Sequence, residues 1–202
     1  MQLTQGKTAL ITGASSGIGL AFAEALAARG LHLLLVARSE DKLRELATRL
    51  TKAHPIKVEV LVADLEQPGA AQKVFDAATK TGSVDLLINN AGFGKWGEFL
   101  DFDRETYASM VQLNVTALTE LTHLFLPHLL SNKGLGVINV GSTASLVPVP
   151  YAGVYAATKA YVLSLTEALY GEYASKGLHF MTLCPGGTAT NFATVANAEL
   201  AQ

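Results

Sequence analysis

Cysteine is almost missing from this chain: Cys184 stands alone. A lone thiol excludes an intrachain disulfide and any metal site built on several cysteines, and it suits a reducing cytoplasm as the expected location. Charge is sparse as well. Lysine and arginine number 15 against 17 aspartates and glutamates, a net charge of −2, with the signs interspersed. That balance argues against a surface for nucleic acid or an anionic membrane. Long apolar runs are also lacking, although mean hydropathy is +0.29. The longest, Leu31 to Ala37, includes His32 and falls far short of the ~18 residues that span a bilayer. No charged-then-apolar leader opens the chain, so no secretory signal is expected. What remains is 202 residues, 50% of them hydrophobic, enough for one well-buried domain.

Short apolar runs recur along that domain. Lys7 to Thr12, Leu31 to Val36, Ile56 to Val62, Val84 to Ile88, Leu135 to Val140 and Leu178 to Leu183 read as strands. Between them lie helical stretches: Leu20 to Arg29, stopped by Gly30; Ser39 to about Leu50; Pro68 to about Lys80; Asp103 to about Leu130; and Tyr151 to Ser175. Ser39 and Asp103 are expected N-caps, and Pro127 is expected to distort the last turn of its helix. Continuous apolar strands alternating with helices predict a doubly wound α/β domain, a parallel sheet with helices on both faces. No linker or repeat divides it. Ligands in such sheets bind at the carboxyl ends of the strands, and the unusual residues of this chain all follow strands.

After the first strand comes Thr12-Gly13-Ala14-Ser15-Ser16-Gly17-Ile18-Gly19. Glycines allow a tight turn and close backbone approach to a diphosphate, and the next helix presents unpaired N–H groups to the anion. Where the dinucleotide fingerprint expects an acid for the ribose 2′-hydroxyl, this chain has Ala37-Arg38. An arginine suits a 2′-phosphate, so NADP(H) is favoured over NAD(H), unless Arg38 is only a solvated surface residue. Asp64, in Ala63-Asp64-Leu65, is placed either to accept from an adenine amino group or to cap a turn.

Tyr155 and Lys159 are four residues apart, which in a helix puts them one turn apart on one face, unless they are ordinary helix residues with Lys159 in solvent. A free phenol titrates near pH 10, and a cation beside it favours the phenolate. Tyr155 is therefore the candidate general acid/base, with Ser142, just after the fifth strand, able to hydrogen-bond the same substrate oxygen.

Taken together, Thr12 to Gly19, Asp64, Asn89-Asn90-Ala91-Gly92, Asn114, Ser142, Tyr155-x-x-x-Lys159 and Pro185-Gly186 with Thr190 resemble the short-chain dehydrogenase/reductase family over residues 5 to 192. The resemblance implies a Rossmann-type fold and hydride transfer between a nicotinamide cofactor, here expected to be NADP(H) from Arg38, and a small-molecule carbonyl or alcohol. Tyr155 would be the acid/base, with Lys159 lowering its pKa and binding the nicotinamide ribose. Ser142 would orient the substrate, and Asn114 would hold a relay water unless it merely kinks its helix. The implied cofactor contacts are Gly13, Ser15, Ser16, Gly17, Ile18, Gly19, Arg38, Asp64, Leu65, Asn90, Ala91, Gly92, Tyr155, Lys159, Pro185, Gly186, Thr188 and Thr190. No metal is implied.

The family pattern continues past the Thr190 position with a substrate-covering segment, a further helix and a seventh strand. This chain stops at Gln202: either the sequence is shortened, a disordered end is omitted, or this is a reduced member. Residues 1 to 202 are expected to form a single domain, and if the seventh strand is absent, strand six becomes an edge and the grip on substrate weakens. The alternative function is a non-catalytic NADP(H)-binding sensor or scaffold. Phe93, Trp96, Leu146, Val147 and Val149 are candidates for an apolar substrate wall. Met110, Leu113, Leu121 and Phe125, with Leu163, Leu165 and Leu169, are expected to exceed what one sheet can cover, which predicts a homodimer or homotetramer.

Overall fold

All six apolar runs become strands of one parallel sheet, in the order β3-β2-β1-β4-β5-β6. The structure, a computed structural model, describes residues 5–187 and Ala196. The strands are β1 Thr8–Thr12, β2 His32–Ala37, β3 Val58–Val62, β4 Leu86–Asn89, β5 Gly136–Val140 and β6 His179–Leu183. The helices are α1 Gly17–Ala27, α2 Glu40–Ala53, α3 Ala70–Thr81, α4 Arg104–Val111, α5 Leu118–Ser131 and α6 Gly153–Tyr173.

Continuous apolar strands require cover on both faces, because successive side chains point to opposite sides. Leu10, Leu34, Leu87 and Val137 face a layer that includes Val74, Leu121 and Phe125. Their neighbours Ile11, Leu33, Leu35 and Ile88 face Ala23, Leu26, Leu43 and Leu46 of α1 and α2. Two cores thus cover the sheet, and the strand order reverses between β1 and β4.

Three expectations are revised. The first helix begins at Gly17 rather than Leu20, so part of the glycine motif is itself helical. The long helix after Asp103 is interrupted at the π-helical turn Gln112–Ala117, whereas α5 runs past Pro127 to Ser131. Asp103 caps it by accepting from the Thr106 N–H at 2.7 Å; Ser39 stands at the N-cap of α2 with no side-chain cap bond. Lastly, Met110, Leu121 and Phe125 are fully buried inside the chain and cannot supply a face between subunits. The exposed apolar side chains of this helical layer are instead Val111, Tyr161 and Tyr170. Among the described residues no helix is long and apolar enough to cross a membrane.

Candidate active site

The exits of β1 to β6 surround a half-open cleft of about 980 Å³. Its floor is built by a weld between β1 and β4. Thr12 Oγ1 accepts from the N–H groups of Asn90 at 2.9 Å and Ala91 at 3.0 Å. Asn90 Nδ2 donates to the carbonyls of Thr12 at 2.9 Å and Gly13 at 3.2 Å. The amide of Asn90 is therefore spent on holding the glycine turn in place. Gly13 (φ +65) and Gly17 (φ +54) take left-handed backbone conformations, the region that favours glycine. A Cβ on Gly13 would sit 2.8 Å from Asn90 Nδ2, and one on Gly19 would strike the Gly13 carbonyl oxygen. Gly19 is buried and does not line the cleft; it serves packing of α1 against the turn.

Gly19→Ala is accordingly expected to destabilise the fold by about 1–3 kcal/mol and to weaken nucleotide binding, since Gly13 and Asn90 must move. A thermal melt with and without NADPH checks both effects.

Gly13, Ser15, Ser16, Gly17 and Ile18 line one end of the cleft. The first N–H groups of α1 have no acceptors within the helix, and its first turn holds no acidic residue. A left-handed glycine turn facing a helix N-terminus fits the diphosphate of a dinucleotide. Beyond it the cleft is lined by Arg38, Asp64 and Leu65. Arg38 Nη1 pairs with Glu66 Oε1 at 2.7 Å. Asp64 forms a turn: its Oδ1 accepts from the Glu66 N–H at 3.1 Å and its Oδ2 from Gln67 Nε2 at 3.2 Å. Ser39, Lys42 and Glu66 also line this end. Nothing in the sequence marks Lys42 or Glu66 for this site, and Ser39 stands out there only as a helix cap, although Glu66 is two residues after Asp64.

At the other end, Ser142, Tyr155, Lys159, Ala91, Gly92, Pro185 and Gly186 line the same cleft. Ser142 caps the short turn Thr143–Ser145 and accepts from the Ala144 N–H at 3.1 Å. The extended backbone there aims its hydroxyl at Tyr155. Burial raises the Tyr155 phenol above its ordinary value, and the hydrogen bond with Ser142 opposes that rise. Lys159 is buried and donates from Nζ to the Val140 carbonyl at 2.7 Å. Burial pulls its ammonium down to about 8, with the neighbouring Cys184 acting the other way. Nζ lies 5.9 Å from the Tyr155 ring centroid. The two side chains share a wall, as their spacing predicts. Within this geometry the hydrogen bond with Ser142 is what opposes the rise of the phenol.

Asn114 sits in the π-helical turn, just behind this wall. Its Nδ2 donates to the Phe93 carbonyl at 2.8 Å and to Thr158 Oγ1 at 3.1 Å, and its Oδ1 accepts from the Phe93 N–H at 3.1 Å. Thr158 in turn donates to the Tyr155 carbonyl at 2.7 Å. The side chain thus brackets the loop after β4 to α6, and one Oδ1 lone pair is left over. Gly92 is small because a Cβ there would meet Asn114 Oδ1 at 2.9 Å and Lys159 Nζ at 3.4 Å. Phe93, Trp96, Val147 and Val149 line the cleft beside Tyr155, but Leu146 does not. Trp96 packs on Tyr155 with ring centroids 5.4 Å apart. Thr188 and Thr190 lie outside the described residues.

Residues 7–201 match the family model described as short chain dehydrogenase. A solved short-chain dehydrogenase from Sphingobium yanoikuyae in complex with NADPH is 37% identical, with a TM-score of 0.90, over 95% of this chain and 75% of that one. A short-chain dehydrogenase/reductase from Burkholderia phymatum in complex with NAD is 33% identical, with a TM-score of 0.88, over 98% and 71%. The human protein named inactive hydroxysteroid dehydrogenase-like protein 1 is 30% identical over 95% of this chain and 59% of its own length. The chain spans only 56% to 64% of the length of such curated relatives.

Proposed function

Because the chain belongs to the short-chain dehydrogenase family, we propose that it is an NADP(H)-dependent oxidoreductase acting on a small-molecule carbonyl or secondary alcohol. The observation that carries this reading is the burial of Tyr155, Ser142 and Lys159 together in the wall of a cleft that begins at the glycine turn. Bound in that cleft, the nicotinamide would supply or accept the hydride. The chain's own residues do the rest. Ser142 and Tyr155 offer two hydroxyls to one substrate oxygen, and Tyr155 moves the proton. Lys159 sets the charge behind the phenol, and Asn114 with Thr158 holds α6 against the loop after β4. Phe93, Trp96 and Val149 form a wall that suits an apolar group on the carbonyl.

Titration with NADPH and NADH, followed by a panel of ketones and aldehydes, tests the proposal. Arg38→Asp is expected to weaken NADPH binding about tenfold or more, the worth of a charge-assisted hydrogen bond or two, while NADH changes less. Retention of the NADPH preference would discredit the assignment of Arg38.

The existence of a relative named inactive favours one second reading, a non-catalytic NADP(H)-binding sensor or scaffold. Saturable NADPH binding with no oxidation across the panel would select it.

A further inference from the structure

Four charged side chains line the adenosine end of the cleft: Arg38 beyond β2, Lys42 in the first turn of α2, and Asp64 and Glu66 beyond β3. Arg38 and Glu66 form an ion pair across 28 residues of sequence, 2.7 Å between Nη1 and Oε1. The partners differ in freedom. The Arg38 side chain is 66% exposed and that of Glu66 only 20%. Glu66 is also anchored through its backbone, whose N–H donates to Asp64 Oδ1. The carboxylate is the more buried member of the pair and the guanidinium the more exposed one.

We propose that Glu66 is a specificity-determining residue that restrains the preference for NADP(H) and admits NAD(H). This rests on the reading of the cleft as a nicotinamide dinucleotide site. A 2′-phosphate carries close to two negative charges and needs Arg38. Glu66 holds that arginine and adds a like charge beside the phosphate. A 2′-hydroxyl, in contrast, can donate to the same carboxylate and leave the ion pair intact. Glu66 offsets Arg38 and Asp64 offsets Lys42, so the four charges at this rim sum to zero. The opposite idea, that Glu66 orients Arg38 for the phosphate, predicts the opposite sign on neutralising it.

The test uses the full chain and Glu66→Gln, which keeps shape and removes charge. Trp96 is the single tryptophan and lines the cleft, so its quenching reports NADPH and NADH binding directly. Glu66→Gln is expected to tighten NADPH about tenfold and to leave NADH unchanged or slightly weaker. Glu66→Ala, checked by its thermal melt, should move the NADPH-to-NADH ratio in the same direction. Unchanged or weaker NADPH binding in both variants, with wild-type binding intact, overturns this inference alone. If the wild type binds neither nucleotide, the reading of the cleft falls and takes the inference with it.

Discussion

Tyr155→Phe removes nearly all turnover while cofactor affinity stays within a few-fold. In the proposed mechanism the phenol passes the proton to or from a substrate oxygen, and a positioned acid or base accounts for roughly 10²–10⁴ in rate. Phenylalanine keeps the ring, and with it the packing against Trp96. What is lost is one hydroxyl and its hydrogen bond with Ser142, so stability should fall by only about 1 kcal/mol. Steady-state rates on the best carbonyl of the panel, beside a Trp96 quenching titration, separate the two effects. A variant that still turns over at near wild-type rate would remove Tyr155 from the mechanism. The direction of the tyrosine shift adds a pH signature. Burial holds the phenol protonated through neutral pH, which suits proton donation during carbonyl reduction. Alcohol oxidation needs the conjugate base, so its rate should climb as the solution becomes alkaline, while reduction stays level through neutrality.

Lys159→Met should abolish activity and yet not destabilise the nucleotide-free chain at neutral pH. The buried ammonium titrates at about 8 against an ordinary 10.5, a shift that corresponds to roughly 3 kcal/mol of unfavourable charge burial. Methionine fills much of the same space without the charge. Against this stands the lost donor to the Val140 carbonyl, which costs about 1–3 kcal/mol when the acceptor stays buried. The net effect is about 1 kcal/mol in favour of the variant, a rise of a few degrees in Tm. The sign with pH is the sharper check. For a base whose pKa is depressed by folding, the unfolded chain binds more protons between the two values. Wild-type stability is therefore penalised in full below about pH 8 and recovers between about 8 and 10.5. Lys159→Met lacks that recovery. Denaturant titrations at pH 7 and pH 10 should show its advantage shrinking or reversing. Parallel pH curves for the two proteins would mean that the lysine is solvated.

Both experiments act on a function-for-stability exchange. Charge is buried at Lys159, and a phenol is buried beside it, where an apolar pair would pack at lower cost. The remaining polar groups of the wall are better satisfied: each amide proton of Asn114 has an acceptor, and Ser142 and Ser145 cap one short turn reciprocally.

Much of this arrangement was already determined in the amino-acid order, because it depends on local spacing. Short continuous apolar runs and the helical stretches between them place all six strands and most helix ends to within a few residues. Tyr155 and Lys159 share a face since one helical turn separates them. The glycines at 13 and 17 mark backbone that other residues adopt only under strain. The tertiary structure alone decided the partners. Arg38 meets Glu66 because β2 and β3 are neighbours, and Asn90 reaches the Gly13 carbonyl because β1 lies beside β4. Lys159 turns its ammonium to the end of β5 rather than to the phenol, and Met110, Leu121 and Phe125 find cover within the chain. A residue's own neighbours in sequence set its conformation and the face it occupies, but charge pairing, burial and pKa are properties of groups brought together from distant segments, and only the order of the strands specifies which segments meet.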